Sequence, residues 1–197
     1  MIIASDFEVA EPVDKVWRFF DNIPQVASCL PGAELTKDLG DDTYEGRVAI
    51  RMGPVRMQFV GTADITERDD AAKRIVVHAA GADEKGRGQA AMIVGATLSA
   101  KGRGTKVAVT QDLQLSGAAA QYGRGMISDV SAILMRDFAA NMQDRIERLE
   151  RGESAEQIAA AAGGGSVSGF AIALRATRMA LTRVFRRFFL PYQPAAS

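Results

Sequence analysis

Few residues in this chain of 197 are equipped to make or break bonds. His78, the sole histidine, falls on a strand-like segment, could face either side, and is better explained as structural or exposed than as catalytic. Cys29 is the sole cysteine, which excludes an intrachain disulfide and a cysteine-based zinc site and fits a reducing compartment. With no histidine nearby in sequence it reads as a small buried filler. No group of residues has metal-ligand spacing. Gly86-Arg87-Gly88 and Gly102-Arg103-Gly104 hint at phosphate loops, but neither stands between a parallel strand and a helix, so both read as hairpin turns. Gly123 and Gly125, at a helix start, permit close approach of a backbone or ligand. Without an acid-base set the chain is not expected to be an enzyme, and no catalytic residue or metal site is assigned.

The residues suited to binding are more informative. Met52, Met57, Met92 and Met126 fall on faces that read as dry, and methionine fills irregular or exchanging apolar shapes. Phe59, Val94, Tyr122 and Val130 complete a candidate ligand-binding set, in which the Tyr122 hydroxyl would orient a polar headgroup while its ring covers the apolar part. A plain methionine-rich core is the rival reading.

The element that must position this set is a long helix over 118–150. Tyr122, Met126, Val130, Leu134, Phe138, Met142 and Ile146 recur every four residues, with Ile133 and Leu149 between. That spacing overshoots 3.6 residues per turn by roughly 40° per step, so the apolar stripe winds round the helix and its halves, divided near Leu134, should meet different neighbours. Upstream, Ile2, Ala4, Phe7 and Val9 start a strand, Pro12 opens a short helix, and Ile23-Pro24 opens another running to about Cys29. After a turn at Leu30-Pro31-Gly32-Ala33-Glu34, period-two alternation predicts five consecutive antiparallel strands up to Ser116, the first two joined at Gly53-Pro54. A sheet apolar on one face needs a cover, which the long helix supplies.

The overall formal charge of zero hides a polarity: residues 1–150 carry 18 basic and 22 acidic side chains, the remainder six and two. An acidic body argues against nucleic acid as its partner, and a basic tail towards an anionic surface. The alanines and glycines of 151–165 read as a flexible linker, partly helical at first. In 166–190, Phe170, Leu174, Leu181, Val184, Phe185 and Phe188 fall on one arc of roughly 100°, with Arg175, Arg178, Arg183, Arg186 and Arg187 spread over the opposite half. A spanning helix would place those arginines near the bilayer centre at about 2.5 kcal/mol each or more, whereas an interfacial helix gains roughly 1 kcal/mol per basic residue on anionic lipid. The interfacial reading is favoured over a protein-docking helix. Residues 191–197 form a short tail. The N-terminus lacks the pattern of a secretory signal, and a cytoplasmic protein is expected.

Pro12-Val13-Asp14-Lys15-Val16-Trp17, Cys29-Leu30-Pro31-Gly32-Ala33-Glu34, Gly53-Pro54-Val55 with Phe59-Val60-Gly61, and Tyr122-Gly123-Arg124-Gly125-Met126-Ile127 together resemble the carbon monoxide dehydrogenase G-subunit family over about residues 1–148. That family lies in the START and birch-pollen-allergen helix-grip superfamily. The resemblance implies an α+β fold, a curved antiparallel sheet wrapped round a long C-terminal helix, with an apolar small molecule held between them. It also implies a non-catalytic accessory role beside an aerobic molybdenum-containing carbon monoxide dehydrogenase. The expected function is then a carrier of a lipophilic ligand, with a respiratory quinone (menaquinone or ubiquinone) the best guess and no covalent cofactor, peripheral on the inner face of the cell membrane. Recruitment or maturation of the dehydrogenase, with no transport role, is the alternative. A cyclase or hydrolase of the kind known on this fold is disfavoured by the missing acid-base set.

Overall fold

The computed structural model describes residues 1–53 and 55–161, with the side chains of 159–161 not described. Strand β1 (Ile2–Val9) is followed by helices α1 (Val13–Phe19) and α2 (Ile23–Cys29), and then by strands β2 (Ala33–Gly40), β3 (Thr43–Met52), β4 (Val55–Asp69), β5 (Arg74–Asp83), β6 (Gln89–Lys101) and β7 (Gly104–Leu115). A 3-10 turn (Gly117–Gln121) leads into helix α3 (Arg124–Glu150), and α4 (Ala155–Ala161) follows. Pro12 is the N-cap of α1, and the Asn22 side chain caps α2 by accepting from the Gln25 N–H at 3.2 Å. Two boundaries differ from the sequence reading. Six strands follow the helix pair rather than five, because Ala33-Glu34 opens β2, and the long helix begins at Arg124, after the separate 3-10 turn.

The seven strands form one antiparallel sheet in the order β1-β7-β6-β5-β4-β3-β2. In β1 the exposure alternates so that Ile3, Ser5, Phe7 and Val9 face inward, while Ile2 is 71% exposed. Gly46, Gly61 and Gly81 stand side by side across β3, β4 and β5. A methyl group on Gly61 would overlap the Ala80 carbonyl oxygen, and one on Gly81 would lie 2.8 Å from the Val60 oxygen. Neighbouring strands close up here as side chains would forbid, which lets the sheet curl.

This glycine row separates two apolar clusters. The first joins Val9, Val16, Trp17, Phe19, Phe20, Ile75, Leu98, Val107 and Val109 to Met142 and Ile146 of α3, with Phe7 and Phe138 meeting edge-on at 5.8 Å. The second gathers Met52, Met57, Phe59 and Ala119, with Ile50, Leu115, Tyr122 and Val130 packed on it. The winding stripe of α3 accounts for this division: Met135, Phe138, Met142, Ile146 and Leu149 serve the first cluster and Val130 the second.

Polar contacts hold the first end. Trp17 donates its indole N–H to Asp70 Oδ1 at 2.7 Å, and the Arg68 guanidinium lies over its ring at 4.6 Å. Lys15 pairs with Glu150, Gln143 Oε1 accepts from the Ala10 N–H at 2.7 Å, and Asn141 Nδ2 donates to the Cys29 carbonyl at 2.9 Å. Within the segment expected as a linker, Ser154 and Gln157 form a reciprocal capping box at the start of α4 (3.2 and 2.8 Å).

Candidate functional site

Between the two clusters the inner face of the sheet is made of small residues. Register places Ala63 beside Ala79 and Met92, and Gly46, Gly61 and Gly81 beside Ala90. Helix α3 approaches the sheet chiefly at β1 and β3. Small side chains below and a helix resting near the flanks favour an apolar space over the strip.

A groove of about 460 Å³ opens at the surface beside the second cluster, lined by Pro31, Gly32, Ile50, Val130, Ile133 and Leu134, with Arg51, Arg56 and Asp137 at its margin. Ile50 and Val130 also pack on the second cluster, so the groove and the cluster are continuous. Gly32 is in a left-handed conformation (φ 79°) and its oxygen accepts from the Ala49 N–H at 2.9 Å, fixing the groove wall.

Beside the second cluster stands an ion pair, one member of which, Arg87, the sequence reading assigns only to a hairpin turn. Asp83, 4% exposed, receives two hydrogen bonds of 2.7 Å from the Arg87 guanidinium and further bonds from the backbone N–H groups of Gln58, Lys85 and Arg87. The Arg87 bond foremost, with the backbone donors, holds the Asp83 carboxyl well below the usual carboxylate range against the opposing effect of burial. Arg87 also donates to the Arg56 carbonyl at 3.0 Å, and its own carbonyl accepts from the Ala118 N–H at 2.6 Å. One residue therefore ties the β3–β4 hairpin, the β5–β6 turn and the 3-10 turn that delivers Tyr122. The signal available in the sequence is an Asp and an Arg four apart around Gly86.

A few polar atoms face the interior. Gln111 is 5% exposed and its Oε1 accepts from Ser131 Oγ of α3 at 2.9 Å. Ser5 Oγ, on the neighbouring strand, is buried without a hydrogen-bond partner among the described residues.

The eight residues expected at the ligand site do not form one patch. Met52, Met57, Phe59, Tyr122 and Val130 come together in the second cluster. Met92 faces inward, half-buried, between Leu113 and Ala79, while Val94 packs against the first cluster. Met126 does not lie on a dry face: it is 44% exposed, and Ile133 is 50% exposed, because the stripe has already wound outward at those turns. His78 is on the exposed outer face opposite Asp64. The Cys29 thiol is buried and bonded to the Gln25 carbonyl at 3.3 Å; burial pushes its pKa up to about 12, with Arg145 opposing, so it stays protonated and is no nucleophile. Among the described residues, no cluster could hold a metal ion and no helix is long and apolar enough to cross a membrane. Phe170, Leu174, Arg175, Arg178, Leu181, Arg183, Phe185, Arg186, Arg187 and Phe188, expected at a membrane, lie outside the described residues.

Residues 6–147 match the family model for the carbon monoxide dehydrogenase G subunit, CoxG. The chain belongs to that family. Its architecture is the helix-grip fold of START and birch-pollen-allergen proteins, as the sequence resemblance implied. Among solved structures, a conserved protein from Geobacillus kaustophilus is similar at 19% identity and TM-score 0.67, covering 75% of this chain and 96% of its own. The Zhui aromatase/cyclase from Streptomyces sp. R1128 is similar at 17% identity and TM-score 0.55 (84% and 99% covered). A protein from Thermus thermophilus gives 12% and 0.54 (76% and 99%). At these identities the likeness is one of fold. Among curated proteins none matches. Membership in the CoxG family implies association with carbon monoxide dehydrogenase.

Proposed function

We propose that this CoxG-family protein is a non-enzymatic carrier that takes a lipophilic molecule, a menaquinone or ubiquinone, into the space over the small-residue strip and links the dehydrogenase to the membrane. The observation that carries the reading is the strip itself. Small residues at Ala63, Ala79, Gly46, Gly61 and Gly81 lie between two well-packed clusters, the second of which is continuous with an open groove through Ile50 and Val130. A domain optimised only for packing would fill such a strip with larger side chains. Ser5 Oγ and Gln111 offer an apolar molecule a polar contact for one oxygen. A water-soluble dehydrogenase reaches a membrane-dissolved electron acceptor only if one of them is moved, and a carrier on a basic amphipathic segment, 166–190, at the inner membrane face moves the acceptor.

The absence of an acid-base pair at the strip argues for binding over catalysis, although the similar Zhui protein is named as an aromatase/cyclase. The test is solvent extraction and mass spectrometry of the full-length protein purified from a quinone-containing host, beside a version ending at Glu150. A stoichiometric isoprenoid in both supports the carrier; nothing in either shifts the role to recruitment or maturation of the dehydrogenase.

A further inference from the structure

The charged side chains of the body are not paired evenly. Around α1 and the β4–β5 turn nearly every cation has a partner: Lys15 with Glu11, Arg68 with Asp21, Lys73 with Asp14 and Arg74 with Glu67. Lys37, Arg51, Arg56, Lys85, Arg103 and Arg124, by contrast, have no side-chain hydrogen bond or ion pair among the described residues. Arg51, Arg56, Lys85 and Arg124 of this group stand together at one end of the molecule. Arg51 and Arg56 face each other across the β3–β4 hairpin and border the groove. Lys85 is on the β5–β6 turn, which Arg87 ties to Arg56, and Arg124 begins α3 two residues beyond Tyr122. All four are exposed.

Near these four, Asp83 is neutralised by Arg87 and Asp137 by Arg136, while Glu84, bonded to the neutral Gln58 amide, and Asp129 on α3 keep their charge, so the four cations outnumber the two uncompensated carboxylates. A body that is acidic overall therefore carries a cationic rim, an excess of cations beside its groove. The same end exposes Met126 and Ile133 on one face of α3, and Ile133 lines the groove. Unpaired cations ringing exposed apolar side chains complement a surface that is anionic outside and apolar beneath.

We infer that the folded body docks on an anionic bilayer through this end, with Arg51, Arg56, Lys85 and Arg124 on lipid headgroups and Met126 and Ile133 turned to the acyl boundary. This contact is separate from that proposed for the C-terminal segment, and it fixes which way the body faces. The groove then opens directly onto lipid, so a lipophilic ligand passes between bilayer and protein without crossing water. That consequence rests on the carrier reading; the docking does not.

The test uses the full chain and quinone-free vesicles of phosphatidylglycerol and phosphatidylcholine. An environment-sensitive fluorophore is placed at Met126→Cys and, separately, at Ser99→Cys on β6; the buried Cys29 stays unlabelled. Vesicle binding is expected to shift the emission at 126 to the blue and leave that at 99 aqueous. Full-length Arg51→Glu/Arg56→Glu is compared with Lys37→Glu/Arg103→Glu, which changes the net charge equally away from the rim. The rim variant should lose about 30-fold or more in vesicle affinity relative to that control. Aqueous emission at 126 in vesicle-bound protein, or equal losses in the two variants, overturns the inference. Rim variants that keep vesicle affinity and lose binding to purified dehydrogenase would also overturn it and assign the rim to a protein partner. Protein that retains a co-purified isoprenoid but fails these tests sinks the docking surface alone; protein that passes them and never holds a ligand sinks the carrier alone.

Discussion

Arg87 grips Asp83 with two hydrogen bonds of 2.7 Å while its own carbonyl holds the 3-10 turn before Tyr122, so a four-residue separation in sequence spans three segments of the fold. Replacing Arg87 by Ala leaves a buried carboxylate without its guanidinium. The expected result is a lower Tm and a loosened second cluster, read by calorimetry and by faster exchange of the Ala118 and Tyr122 amides. The sign of the pH dependence follows from the depressed Asp83 carboxyl. Its folded form holds the proton less readily than the unfolded one, so its stabilisation is present above the ordinary carboxylate range and is lost as the pH falls through and below it. In Arg87→Ala that acid-sensitive component should shrink.

Gly61 tests the curl of the sheet. Ala at this position places a methyl group against the Ala80 carbonyl, and Gly61→Ala should destabilise the protein by about 3 kcal/mol, measured by urea denaturation. Gly95, where an added methyl group meets nothing, should accept Ala with a change below about 1 kcal/mol.

Register separates two substitutions that look equivalent in the sequence. Met92 faces inward beside Ala79, whereas Gly95 faces outward opposite Thr110. Met92→Trp should therefore empty the protein of any co-purified lipophile and abolish carbon monoxide-driven respiration while dye-linked oxidation of carbon monoxide persists. Gly95→Leu should retain both. A folded Met92→Trp protein that still supports respiration would favour recruitment over transport.

Cys29 gives a probe of folding. Its thiol pKa, raised from 9.0 to about 12 by burial, means the folded state keeps a proton that the unfolded state loses first. Stability contributed by the neutral thiol is therefore intact below about pH 9 and lost as the pH rises towards 12. Iodoacetamide at about pH 8 should leave native Cys29 unmodified and alkylate it only at the rate of opening.

Much of the fold is legible because its elements have strong periods: β1, the helix pair, the five apolar strands and α3 all announce themselves by alternation or by four-residue spacing. β2 does not, since Leu35 and Leu39 are its only large apolar residues, and as an edge strand it has little to bury. Its pairing with β3 also carries two register shifts. Met126 misleads for a geometric reason. Three steps of roughly 40° separate it from Phe138, so a residue in phase with the stripe by counting has turned about 120° away from the first cluster in space. The candidate site is legible only in its residue types. That Met52, Met57, Phe59, Tyr122 and Val130 meet while Val94 joins a different cluster depends on the register across seven strands, which no single stretch of sequence carries. The Asp83–Arg87 clamp leaves only a four-residue spacing around Gly86, and the turn reading of Arg87 already absorbs that signal.

The uneven seating of α3 makes the helix a lever. Its last turns are fastened by Lys15 to Glu150, by Ala10 to Gln143 and by Cys29 to Asn141, whereas on its first turns the bond from Ser131 to Gln111 spans to the sheet. A rod fastened more densely at one end swings more readily at the other, so residues 124–134 are the part of α3 able to lift from Gln111 and the second cluster while the packing around Trp17 stays intact. Hydrogen exchange should register this as slow amides over 138–150 and faster ones over 127–134, with the faster set slowing when a guest is seated. The molecule would then admit a bulky guest by hinge rather than by melting.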